Sequence, residues 1–392
     1  MQKEESQTKK AGIGVTYIFG AGASAGLIRK HESGSEYGRK MPLVSNFEKY
    51  FVDFRELLIR NLAKENISIR VLNDEYVLTD TSVNEGNGPE ILEKELSPDE
   101  RLKFKLVNEI DKYVIQTPQR FSIDTIAKAK WFEDPTSSEY LKLKKLISLV
   151  IWCYQGKIGL DPRYEAFLAS ILKKEENQVV FPSNVNIISW NYDLQFEEAL
   201  NTISRSTFLE MFDSAENRDS NYMKLVQGDK LKYFKLNGIA GGEFKHPKLD
   251  SLSQGEPYFF ISELQKFRTN QESLLANNLN FEIKDFFNDQ TKSSIKFAWE
   301  LDRMELETNL KKMNASNILV VIGYSFPAFN RKNDYSILNG HNKYDEIYVQ
   351  CGDRENNEAV KERVNALLDY KSVIQPINNT SEFYIPNNLL LD

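Results

Sequence analysis

The stretch Gly14-Val-Thr-Tyr-Ile-Phe-Gly-Ala-Gly-Ala-Ser-Ala-Gly26 sets an apolar run directly before a glycine-rich turn. Val15, Tyr17, Ile18 and Phe19 suit a buried strand. Gly20, Gly22 and Gly26 let the backbone approach a pyrophosphate where a helix begins. The spacing is Gly-x-Gly-x-x-x-Gly, one residue longer than the commonest dinucleotide fingerprint, and Ala21, Ala23 and Ser24 complete the turn with a hydroxyl donor. Taken alone, the same pattern equally fits a turn that only joins a strand to a helix.

Three later runs repeat the arrangement of an apolar strand with polar groups at its carboxyl end. They are Asn184-Val-Asn-Ile-Ile-Ser-Trp-Asn-Tyr-Asp193, Lys232-Tyr-Phe-Lys-Leu-Asn-Gly238 and Ile318-Leu-Val-Val-Ile-Gly-Tyr-Ser-Phe-Pro327. Open parallel sheets bind ligands at that end of their strands. The expected fold class is therefore α/β, a Rossmann-like doubly wound parallel sheet. Asp345 to Asp353 reads as a further strand, followed by a helix from about Glu355 to Tyr370 and a final strand near Ser372 to Pro376.

Together these segments resemble the sirtuin superfamily, specifically the sirtuin-like NAD hydrolases of bacterial anti-phage defence. The resemblance rests on Gly20-Ala-Gly-Ala-Ser24, Pro42, Asn191-Tyr192-Asp193 with Glu197 and Glu198 behind it, Leu236-Asn237-Gly238, and the run from Gly323 to Asp334. It covers the nucleotide core, about half of the chain. The resemblance implies NAD as substrate, with Asn191 as catalytic asparagine and a loop from Leu27 to Met41 covering the cofactor. It implies that Gly323, Tyr324 and Ser325 line the adenosine-diphosphate half, while Asp334 fixes its loop. The family's second catalytic residue is a histidine before a glycine, and Asn237-Gly238 stands there instead. An amide has no basic nitrogen at neutral pH and cannot take a proton from a ribose hydroxyl as imidazole can.

Composition narrows the alternatives. Of 392 residues, 41% are apolar, 12% aromatic and 27% charged, which describes a globular chain rather than a disordered one. The net charge of −7 argues against broad nucleic-acid binding, which needs dense Lys/Arg surfaces. Cys153 and Cys351 are the sole cysteines, so neither a disulfide framework nor the four-cysteine structural zinc of sirtuin deacetylases can be built. Histidines are too few and scattered for a metal cluster. The amino terminus lacks a secretion signal, and the longest apolar run, Leu146 to Tyr154, falls far short of the roughly 20 residues that span a bilayer. A cytoplasmic protein without a membrane partner is expected.

Residues 1–12 read as a loose tail, and residues 13–44 and 179–392 as the nucleotide-binding core. Residues 45–178 read as a helical insertion with its own core. Ser45 with Glu48, and Ser97 with Pro98 and Glu100, form candidate capping boxes. Leu102, Leu106, Ile110 and Val114 share one helix face, as do Leu143, Leu146, Ile147 and Val150. Ile67 to Leu78 has strand character, and Thr79 to Pro89 is a loop. Arg163 to Leu172 is an amphipathic helix that returns the chain to the sheet. A smaller insertion at about 242–292 includes a helical run from Glu263 to Asn277, and Ile295, Trp299, Leu306 and Leu310 mark a longer helix.

Two functions follow as expectations. One is hydrolysis of NAD to nicotinamide and ADP-ribose, with Asn191 orienting water and ribose and Asn237 in the histidine's place. The other is a silent NAD or ADP-ribose sensor. Asn191 can alternatively cap the strand-to-helix turn, and Asp353 can accept from an adenosine ribose hydroxyl or cap the helix after it. His31, His246 and His341 can stand in for the missing imidazole or lie in solvent. Trp299 can serve as core or as a substrate platform. A toxic hydrolase implies restraint, hence a homo-oligomer or a complex with a nucleotide-processing or helicase-like ATPase partner. Protein deacetylation has lost both its zinc module and its histidine.

Overall fold

The computed structural model describes residues 14–25, 29–30, 36–37, 41–42, 47–63, 67–72, 75–80, 90–91, 96–114, 122–175, 178–203, 232–241, 283–288 and 293–389. Several sequence expectations fall outside them: the tail, Gly26, His31, Ser45 of the first capping box, His246 and the helical run from Glu263 to Asn277.

Six parallel strands form the central sheet: β1 (Val15–Phe19), β2 (Val185–Ser189), β3 (Lys232–Lys235), β4 (Ile318–Ile322), β5 (Glu346–Gln350) and β6 (Val373–Pro376). Their order is β3-β2-β1-β4-β5-β6, with β1 paired residue for residue to β2 and β4. The order reverses direction between β1 and β4, which is where doubly wound sheets open a crevice at their carboxyl ends. β1, β2 and β4 are buried throughout, and side-chain alternation sends successive residues to opposite faces. On one face Tyr17, Phe19, Ile187 and Val320 pack against α5 (Pro162–Ile171) and α6 (Gln195–Ile203) through Phe167, Leu168, Phe196 and Leu200. On the other, Ile18, Ile188, Val321 and Val349 meet α7 (Arg303–Leu310), α8 (Arg331–Asn339) and α9 (Arg354–Asn365). Helices on both faces make the fold Rossmann-like.

Between β1 and α5 lie α1 (Phe47–Ala63), α2 (Pro98–Val114), α3 (Ile123–Glu133) and α4 (Ser138–Ile158). Their cores merge through Phe51, Phe54, Leu106, Ile110, Ala127, Leu143 and Leu146. The capping box at Ser97 is formed, with Ser97 N–H donating to Glu100 Oε2 (2.6 Å) and Glu100 N–H donating to Ser97 Oγ (3.3 Å). The strand expected over Ile67 to Leu78 is an antiparallel pair, Ile67–Leu72 with Glu75–Asp80. The insertion's cluster extends to Leu194, Ile239, Ala240, Ile295 and Phe297, so it rests on the segments leaving β2 and β3.

Two helix expectations need correction. Ile295 to Leu310 is not one helix: Ile295 bridges Gly238, Ala298–Glu300 is a 3-10 turn, and α7 starts afresh. The break is polar in origin. Glu300 turns back to accept from Phe297 N–H (2.8 Å) and from Lys144 Nζ (3.0 Å), and Asp302 accepts from Glu305 N–H (2.8 Å) to cap the new helix. The last helix ends at Asn365 rather than Tyr370, because Leu367 N–H bonds back to Val364 in a tightened turn.

Candidate functional site at the carboxyl ends of the sheet

The chain leaves β1 through Gly20 into a short 3-10 turn, Ala21–Ala25, instead of opening an α-helix directly. Gly20 N–H donates to Ile322 O and Gly22 N–H to Gly323 O, both at 2.9 Å. A Cβ on Gly20 would lie 2.6 Å from Tyr324 Cα, and one on Gly22 would lie 2.8 Å from Gly323 O. Gly323 itself has φ +62°, and its Cβ would sit 1.9 Å from Ala23 N. The glycines thus serve first to let two strand exits pack backbone on backbone at the switch point. Close approach was foreseen at Gly20 and Gly22, but the partner found there is the β4 exit.

Ser24 is the hinge of a polar junction. Its hydroxyl lies 2.8 Å from Tyr164 Oη, and Asn191 Nδ2 donates to Ser24 Oγ at 3.1 Å. Arg163 Nη2 donates to Ala23 O (2.7 Å), and Met41 N–H, next to buried Pro42, donates to Ser24 O (3.3 Å). Asn191 is 3% exposed, and its Oδ1 has no hydrogen-bond partner among the described residues. A buried acceptor left open in this way is costly unless something fills it.

Asp193 Oδ1 accepts from Gln195 N–H (3.1 Å) and so starts α6. Burial raises its pKa, an effect that the Lys235 ammonium opposes. Lys235 Nζ donates to Asp193 O and, at 2.8 Å, to Glu197 Oε1, which also accepts from Tyr233 Oη (2.7 Å). Lys235 and Glu197 are both fully enclosed. Their pairing ties α6 to β3 directly behind the Asn-Tyr-Asp turn, and removing either partner would strand a buried charge.

At the end of β3, Asn237 Nδ2 donates to Trp190 O (2.7 Å), while its Oδ1 is buried without a partner among the described residues. Gly238, at φ +75°, passes so close to Ser294 O that a Cβ would lie 2.1 Å away. Asn191 and Asn237 therefore share a habit. Each commits its amide hydrogens to protein oxygens and leaves its carbonyl oxygen open. Trp190 connects the strand ends further, its ring stacked on Tyr324 with centroids 5.6 Å apart.

Beyond β4, Tyr324 Oη donates to Asp334 Oδ1 (2.7 Å) and accepts from Asn330 Nδ2 (2.8 Å). Burial pushes the Asp334 carboxyl well above the usual carboxylate range. Asp334 thus acts on its own loop. Phe326 has a left-handed φ of +50°, a strained conformation for an aromatic residue, held with its ring 4.7 Å from that of Tyr324. Ser325 is exposed, and its carbonyl accepts from Arg363 Nη1 (2.7 Å). Asp353 is also exposed and caps α9, accepting from Asn356 N–H at 2.9 Å. Tyr192 packs against the insertion's cluster, and His341 lies at the surface.

Sequence reasoning missed Tyr164, Arg163 and Trp190. An arginine on the buried face of an otherwise apolar helix, next to the Asp161-Pro162 cap, was the available signal for the first two. Among the described residues no group of three His, Cys, Asp or Glu side chains is arranged to hold a metal ion, and no helix is long and apolar enough to cross a membrane. The chain matches no protein-family model and no curated protein sequence.

Proposed function

We propose that this chain hydrolyses NAD to nicotinamide and ADP-ribose at the crevice between β1 and β4. The observation that carries the reading is the Asn191 side chain, bonded through Nδ2 to Ser24 of the glycine-rich turn while Oδ1 stays open. Cleavage of a pyridinium–ribose bond needs little nucleophilic push, since the cationic leaving group departs neutral. What the protein must supply is a held ribose, an electron-rich surface for the oxocarbenium-like centre and a placed water. Two unpartnered carbonyl oxygens, on Asn191 and Asn237, are suited to accepting from ribose hydroxyls or from that water. Gly323, Tyr324 and Ser325 would border the adenosine-diphosphate half, with Trp190 and Tyr324 as a stacked aromatic floor.

By the family resemblance, the activity would serve anti-phage defence through NAD depletion. It would be restrained in a homo-oligomer or with a nucleotide-processing or ATPase partner until triggered. A second reading, a silent NAD or ADP-ribose sensor, is favoured by Asn237, whose Nδ2 is already spent on Trp190 O. Incubating the full chain with NAD and following nicotinamide and bound nucleotide separates them. Release of nicotinamide with ADP-ribose is expected; saturable NAD binding with no release would leave the sensor.

A further inference from the structure

Neither Asn191 nor Asn237 can hold a proton at neutral pH, and the Asp193 carboxylate is engaged in starting α6 beside Lys235. The insertion supplies a candidate base. Asp124 stands in the first turn of α3, after Ser122, whose Oγ accepts from Thr125 N–H. Its neighbour Ile123 is buried with Leu194, Ile239 and Ala240, the residues that follow the Asn-Tyr-Asp and Asn-Gly turns. One turn further along α3, Lys128 Nζ lies 4.8 Å from the Trp299 ring centroid. Trp299 in turn meets Phe329 of the loop after β4, with centroids 5.5 Å apart. The start of α3 thus shares a buried cluster with the segments leaving β2 and β3, and Trp299 links Lys128 to the loop after β4.

Asp124 has no hydrogen-bond or ion-pair partner among the described residues. Its charge acts on Tyr192, next to Asn191, and on Tyr324, the ring stacked on Trp190. The other ionisable groups at this mouth are Lys128 on α3, Glu300 and its partner Lys144, Tyr140 on α4, Lys332 on α8 and Asp334. Burial raises Asp124 to about 6, above an ordinary aspartate yet low enough to be ionised at neutral pH.

We propose that Asp124, delivered by the helical insertion, is the general base of the reaction. The inference rests on the hydrolase reading. As the C1′–N bond of the nicotinamide ribose breaks and its electron pair leaves with nicotinamide, a water oxygen bonds to C1′. The water proton passes to the Asp124 carboxylate and from there to solvent. Asn191 and Asn237 orient the ribose and water, and Asp124 takes the proton that neither amide can accept.

The test compares the full chain with Asp124→Asn and Asp124→Glu, following nicotinamide release across pH and ADP-ribose binding. Wild type should lose kcat below about pH 6 as the carboxylate protonates. Asp124→Asn should lose about 100-fold or more in kcat along with that acid limb, with ADP-ribose binding within about 2-fold of wild type. Asp124→Glu should recover part of the rate and keep the limb. A release rate and pH profile in Asp124→Asn equal to wild type overturns the base and leaves the hydrolase reading standing. Absence of nicotinamide release by wild type at every pH overturns the hydrolase reading, and the base with it.

Folding gives a control of known sign. A carboxyl raised in the folded state contributes most below its unfolded value and loses that contribution as pH climbs through the folded one. From about pH 4 to about pH 7, wild-type Tm should therefore fall relative to Asp124→Asn. An inactive variant with an equal or higher Tm near pH 7 has lost chemistry and kept its fold, whereas an inactive variant with a collapsed Tm would count against the base.

Discussion

At the exits of β1 and β4 backbone meets backbone, whereas in the insertion side chain meets side chain across four helices. Gly20, Gly22 and Gly323 leave no room for one added carbon. Leu106, Leu143 and Leu146 instead fill a volume that neighbouring side chains can partly reclaim. The first kind of contact fixes position to a fraction of an ångström and breaks when anything is added; the second is graded and weakens when something is removed.

The sharpest way to break this contrast is Gly323→Ala. With φ at +62° and a Cβ 1.9 Å from Ala23 N, the substitution should cost about 4 kcal/mol, or abolish soluble expression. Denaturant unfolding checks it, and a loss under about 1 kcal/mol would mean that the two exits can slide apart. Leu146→Ala in α4 should cost about 3 kcal/mol, the usual result of emptying a buried leucine site. Relaxation around it should leave the strand exits in place, so NAD affinity should hold within about 3-fold, a change of under 1 kcal/mol. The smallest effect belongs to Asp353→Ala, which removes a helix cap and should cost about 1 kcal/mol with NAD affinity unchanged. A tenfold loss of affinity would show that the carboxylate also meets a ribose.

The same contrast explains what the sequence disclosed. Short strand-like runs ending in Gly-Ala-Gly, Asn-Tyr-Asp, Asn-Gly and Gly-Tyr-Ser are local patterns, and they located four strands and the edge where their polar ends collect. Helical spacing located α2 and α4 for the same reason. The packing of Gly20 and Gly22 on the β4 exit was not legible because the neighbour filling the missing Cβ space, Gly323-Tyr324, lies some three hundred residues away. Asp124 carried no signal at all: an aspartate in the first turn of a helix reads as a favourable charge at a helix start. Only tertiary structure puts its neighbour Ile123 in one buried cluster with Leu194 and Ile239, and Trp299 against Phe329. The helix break before Asp302 was likewise hidden, since it depends on Lys144 from another helix drawing Glu300 aside.

The proposed hydrolysis requires that Asn191, at the end of β2, face the ribose of NAD. Nicotinamide release and NAD binding measured side by side for wild type and Asn191→Ala test it most directly. Release should fall by about 100- to 1,000-fold while NAD binding weakens by less than about 10-fold, the signature of an interaction made mainly in the transition state. Equal release by the two proteins would contradict it.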